Sequence, residues 1–178
     1  MADLLDPDLL AAVDSYSGEG LDRSAWRVTW ATRDPMAGSS GGGRWSPDGR
    51  FEVLYTSLEA SGALAEAYYH LSKAPVTSSS HMRLNHLHIT LSNVLVLNKA
   101  QIKSLGVDDL RAPESDPNFQ RSRAIGEAAF MLDYQGLVVP SARSDARNLV
   151  VFVERIGPGT NITLLEASEV NWPAWKEQ

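Results

Sequence analysis

The apolar positions of the chain change period several times, and the changes outline its elements. Leu4, Leu5, Leu9, Leu10 and Val13 recur at helical spacing, which predicts a short amphipathic helix from about Pro7 with Asp6 as its cap. Ser15 to Gly20 reads as a turn. In Ala25-Trp26-Arg27-Val28-Thr29-Trp30 the period drops to two, predicting a strand whose Arg27 points away from Trp26, Val28 and Trp30. Asp34 to Gly43, with Pro35 and four glycines, predicts a flexible loop whose backbone can approach a ligand. A mobile surface loop is equally compatible with that composition.

Phe51 to Thr56 reads as a strand, and Ser57 as the cap of a helix running to Leu71. Leu64, Tyr68 and Leu71 should face the core, with Glu66 roughly opposite and on the side of Gly62 and Ala63. Lys73 to Ser80, with Pro75, closes that helix. His86 to Leu91 alternates and Val94 to Leu97 is apolar, which predicts one or two strands. A short helix over Lys99 to Leu105 and a polar connection lead to a second helix, Phe119 to Asp133, with Ile125, Ala128, Ala129 and Leu132 as its buried stripe. Gly136 to Pro140 and Leu149 to Val153 read as strands around a polar loop, Ser141 to Asn148. The last apolar residues, from Ile162 to Trp175, complete a sheet edge or lie across the domain. Strands and helices do not alternate regularly, so the expected fold is α+β: a compact single domain with a mixed central sheet and flanking helices.

Composition narrows the function classes. The chain has 178 residues, 43% of them hydrophobic and 21% charged, enough for one globular core. Its net charge of -6 disfavours broad binding to a nucleic-acid backbone. Arg111, Arg121 and Arg123 form only a sparse basic group. The absence of cysteine removes disulfides, thiolate nucleophiles and cysteine-bound metals. No run of apolar residues suits a bilayer, and the acidic start lacks the pattern of a secretory signal, so no membrane and a cytoplasmic location are expected. His86 and His88 share one strand face with His81 nearby, but no paired motif supplies a further ligand, and no metal is expected.

Arg27, Arg44, Tyr55, Glu66 and Ser141 are polar groups at the ends or faces of predicted core elements. Two guanidiniums can hold a diphosphate, a tyrosine can stack on a planar ring, and a glutamate can accept hydrogen bonds from a ribose. Ser141 can bond a carboxamide or a phosphate. The same residues also suit a bland reading of surface arginines, a solvated glutamate and a core tyrosine.

The stretches Ala25-Trp26-Arg27, Gly43-Arg44-Trp45-Ser46, Leu54-Tyr55-Thr56-Ser57 with Ala63-Leu64-Ala65-Glu66, and Gly136-Leu137-Val138-Val139-Pro140-Ser141-Ala142 resemble the RES domain family. The resemblance spans roughly Trp26 to Arg155 and implies three parts: an N-terminal extension with a short helix (1–24), an NAD-binding catalytic core (25–156) and a C-terminal segment packed on the same domain (157–178). It implies an ADP-ribosyltransferase-like fold and a toxin that cleaves the nicotinamide–ribose bond of NAD. Arg27 and Arg44 then take the two arginine positions, Tyr55 the aromatic one, Glu66 the glutamate and Ser141 the serine, with Asn148 as a further substrate contact. Ser144 is a rival in the same loop, and Val28 stands where the family often has tyrosine.

By the same resemblance, the acceptor is inorganic phosphate or water. Protein ADP-ribosylation, or a non-enzymatic antitoxin-binding module, is the alternative. NAD would be substrate and not retained cofactor, in keeping with the missing spaced-glycine fingerprint of dinucleotide-retaining domains. The implied partner is an Xre-like antitoxin, which would carry any DNA binding. Trp172 and Trp175 are compatible with a homo-oligomer contact or with packing along their own domain.

Overall fold

The computed structural model describes residues 5–73 and 81–176. In chain order the elements are α1 (Pro7–Asp14), β1 (Glu19–Trp30), β2 (Val53–Ser57), α2 (Ala60–Lys73), β3 (Met82–Val96), α3 (Lys99–Ser104), α4 (Pro117–Met131), β4 (Gly136–Pro140), β5 (Arg147–Phe152), β6 (Asn161–Glu169) and α5 (Trp172–Lys176). The close of α2 expected over Lys73 to Ser80 lies, from residue 74 on, outside the described residues, as do residues 1–4 of the acidic start.

The strands run β1-β2-β5-β4-β3-β6, and β1 also pairs with β3, so the first five close on themselves. β3 and β4 are parallel and the other pairings antiparallel, which makes the sheet mixed. The closure is uneven. β1 pairs with β3 from Glu19 to Trp30, but it meets β2 only at Trp26 opposite Ser57. That thin seam, beside α2, is where the candidate site forms.

β5 explains how the core is divided. Leu149 and Val151 face one apolar cluster with Leu54, Leu87 and Ile89, while Val150 and Phe152 face another with Leu9, Ile125 and Ala128. A strand buried on both faces needs a continuous apolar run, as Leu149 to Phe152 supplies. α1 is built as its sequence predicts, with Asp6 accepting the Asp8 N–H at 3.0 Å. Its Leu9 and Val13 belong to the core, so the N-terminal extension is part of the packing.

Three expectations change. The one or two strands expected between His86 and Leu97 are a single 15-residue strand, β3, which starts earlier, at Met82, and ends at Val96. On β1 the alternation holds, but the buried side is the one carrying Ala25, Arg27 and Thr29, whereas Trp30 is 40% exposed. On α2 the buried residues are Gly62 and Ala63, and Leu64, Tyr68 and Leu71 are only half-buried. The reason is close approach. A Cβ at Gly62 would overlap Ser57 Oγ and Ala146 Cβ, so the helix docks by its smallest side chains and its larger ones ride at the margin. Tyr68 packs on Trp172 and Trp175, and β6 pairs with β3 from Arg83 to Thr90, so the C-terminal segment both edges the sheet and lies across the domain.

Candidate active site

A cavity of about 590 Å³ opens at the β1–β2 seam, within the size range of ligand sites. Its lining includes Arg27 from β1, Arg44 from the loop before β2, Tyr55 from β2, Glu66 from α2 and Asn148 from β5. Ser141, just after β4, is bonded to Glu66 at its edge. Residues up to 121 positions apart are thus brought to one place.

Glu66 is the best-anchored group. Its Oε1 accepts the Ser141 hydroxyl at 2.7 Å and Asn148 Nδ2 at 3.1 Å. Ser141 Oγ in turn accepts the Arg143 N–H at 3.0 Å, which leaves its own proton for the carboxylate. The rival Ser144 caps its own turn by accepting the Ala146 N–H. Asn148 Oδ1 is buried without a partner.

Arg44 is held through its backbone neighbours. Tyr55 accepts the Trp45 N–H at 3.1 Å and shares a 2.8 Å hydrogen bond with Ser46. Arg123 Nε donates to the Gly43 carbonyl at 2.9 Å. Gly43 lies against the hydroxyl end of Tyr55, where a Cβ would overlap the phenol. The Arg44 guanidinium sits 4.5 Å from the Phe119 ring centroid and donates from Nη2 to the Ala112 carbonyl at 2.9 Å. Its Nη1 is buried and unpaired. Burial first, then Arg143, lowers the Arg44 pKa, with Glu66 opposing.

Arg27 lines the cavity and is also tied to the loop that follows β1. Its Nη1 donates to the Pro35 and Ala37 carbonyls at 3.1 and 2.9 Å, holding the glycine-containing loop against β1. Burial, followed by Arg33, pushes its pKa down to about 10, so it is still cationic at neutral pH. The Tyr55 phenol is pushed above its ordinary value by burial and stays protonated. Replacing Tyr55 by phenylalanine should therefore cost about 1–3 kcal/mol, because the Trp45 N–H loses its acceptor. Denaturant unfolding of Y55F measures this.

The histidines do not converge: His86 bonds Ser24, His88 bonds Asp22 and His81 bonds Glu169. Sequence reasoning missed Tyr69, Lys73, Phe119, Arg123 and Arg143, which also line the cavity. Tyr69 and Lys73 follow Glu66 by three and seven residues, so helical spacing alone could have found them. Phe119, Arg123 and Arg143 carried no such signal.

Residues 24–169 match the RES domain. The chain is 27% identical over 169 residues to the proteins named NAD(+) phosphorylase MbcT of Mycobacterium bovis and Mycobacterium tuberculosis, covering 89% of each sequence. It superposes on a chain of the crystal structure of the M. tuberculosis MbcT–MbcA toxin–antitoxin complex with a TM-score of 0.81 at 24% identity, covering 98% of both chains, and so shares its fold. The matched stretch runs through the cavity-lining residues from Trp26 to Asn148 and on into β6. This chain belongs to the RES domain family.

Proposed function

We propose that this protein is the toxin of a toxin–antitoxin pair and cleaves the nicotinamide–ribose bond of NAD with inorganic phosphate as acceptor. The observation that carries the reading is Glu66, a carboxylate oriented by Ser141 and Asn148 at the wall of a ligand-sized cavity that also holds Arg44. The names of the mycobacterial relatives support the choice of substrate and acceptor, and the neighbouring fold comes from a toxin bound to its antitoxin.

Loss of nicotinamide leaves positive charge on the ribose, and a fixed carboxylate stabilises that charge without having to reorganise. Glu66 serves there and receives ribose hydroxyls. Ser141 and Asn148 hold it in place, and the unpaired Asn148 Oδ1 accepts a hydrogen bond from the substrate. Arg44 Nη1 meets the diphosphate. Arg27 acts by holding the loop over the substrate, and Tyr55 by fixing the backbone on either side of Arg44 while offering its ring to the cavity. NAD is consumed as substrate and is not retained as a cofactor. An Xre-like antitoxin covers the cavity mouth and supplies any DNA contact, and the pair works in the cytoplasm.

The test is chromatography of NAD incubated with partner-free protein, with and without inorganic phosphate. Nicotinamide should appear in proportion to phosphate, alongside a ribosyl phosphate product. ADP-ribose formed regardless of phosphate would replace phosphorolysis by hydrolysis. No nicotinamide from folded protein under either condition would overturn the reading in favour of a binding module.

A further inference from the structure

α2 places Glu66, Tyr69 and Lys73 at spacings of three and four, so they share one face, and that face borders the cavity. Glu66 is accounted for by Ser141 and Asn148. The next turns are not. The Tyr69 ring carries two cations, the Arg143 guanidinium 3.4 Å from its centroid and Lys73 Nζ at 4.2 Å. Among the described residues neither cation forms a salt bridge, although Arg50, Arg121, Arg123 and Arg155 all do.

Arg44 adds a third positive group, with a buried and unpaired Nη1, and Arg143 is the charge that most depresses its pKa. The Tyr69 phenol reports the same field. It is drawn below its ordinary value first by its hydrogen bond to Lys73, and further by Arg143 and Arg44. In a chain of net charge -6, three cations gathered at one wall without a salt bridge among the described residues, with Glu66 and Asp109 opposing only part of the field at Arg44, leave a positive potential that an anionic ligand relieves. A guanidinium fork beside a compact ammonium suits the oxygens of a phosphate.

We infer that Arg143 and Lys73, mounted on Tyr69 beside Arg44, form an oxyanion subsite for a phosphate group, and that this group is the acceptor of the reaction. The inference rests on the NAD-cleaving reading above. Two sources of phosphate are chemically equivalent here, the free anion and the diphosphate of NAD. The free anion is favoured by the turn that links the subsite to the reacting end. Ser141 Oγ accepts the Arg143 N–H while donating to Glu66, so the arginine starts from the backbone that orients the carboxylate. In the step, an oxygen of hydrogen phosphate forms the bond to the ribose C1′. The C1′–nitrogen bonding pair leaves on nicotinamide, which departs neutral. The phosphate needs no prior deprotonation, so the subsite has only to hold and aim it.

The experiment has two arms, both on the full partner-free chain, with Arg143→Gln, Lys73→Gln and the charge-keeping Arg143→Lys. The first titrates inorganic phosphate alone and follows binding by calorimetry. R143Q should weaken binding by about tenfold or more, K73Q less, and R143K should recover part of the loss. Phosphate binding unchanged in a folded R143Q/K73Q double variant would overturn the subsite. The second arm measures nicotinamide release at varied NAD and phosphate. The KM for phosphate should rise in R143Q while that for NAD holds, whereas a rise confined to NAD would overturn the acceptor assignment and give the subsite to the diphosphate. If wild-type protein releases no nicotinamide at all, the proposed reaction fails, and the first arm still decides the subsite.

Discussion

Replacing Glu66 by glutamine should lower nicotinamide release by about 10²- to 10³-fold, the usual cost of removing a preorganised group that stabilises transition-state charge. The glutamine keeps the size of the side chain and can still accept from Ser141 and Asn148 through its carbonyl oxygen. What it loses is the negative charge facing the developing positive charge on the ribose. Substrate contacts are kept, so the fall should lie in kcat, with the KM for NAD changed much less. Thermal melting close to that of the wild type would show that the fold is intact. A glutamine variant with near-wild-type kcat would remove Glu66 from the chemistry and leave it as a structural anchor for the Ser141 loop.

The second large effect falls on stability and lies away from the reacting groups. Gly126 sits in α4 where a Cβ would run into the carbonyl of Trp45, a backbone atom that cannot swing aside. Gly126→Ala should therefore force α4 and the Arg44 loop apart, at a cost of about 2–3 kcal/mol. For a chain of this size that corresponds to a melting temperature lower by about 5–10 °C. Two further contacts cross the same joint, Arg123 to the Gly43 carbonyl and Phe119 beneath the Arg44 guanidinium, and both should loosen. Binding of NAD should weaken in the surviving folded protein through displacement of Arg44. Differential scanning calorimetry and the KM for NAD read the two consequences separately. An unchanged melting temperature would mean that the joint has slack that the packing does not show.

How far each element could be read from the chain depends on whether its constraint is local. α1 with Asp6 and Pro7 was legible because capping is settled within one turn. β4 and β5 were legible because a strand buried on both faces must be apolar throughout. The buried side of β1 was not legible. Alternation separates Arg27 from the tryptophans, but which side meets the core depends on what covers it, and here the side of Ala25 and Thr29 is covered. The apolar stripe of α2 misled for a related reason, since the helix was selected for close approach at Gly62 and the apparent core residues Leu64, Tyr68 and Leu71 became its margin.

The motif residues show the same division. Their identities stand in the chain, and resemblance brought Arg27, Arg44, Tyr55, Glu66, Ser141 and Asn148 together as one set. Their partners were invisible: the carbonyls that engage Arg27, the Trp45 N–H that engages Tyr55, and the Tyr69 ring on which Arg143 is mounted.

By itself the sequence determined the elements whose hydrogen bonds and burial are settled within a few residues, together with the family and its polar positions. Only the tertiary structure decided which faces are covered, which guanidinium groups are already engaged, and where cations gather at one wall. Those depend on groups far apart in the chain, whose charge and burial have no value until the strands and helices close around them.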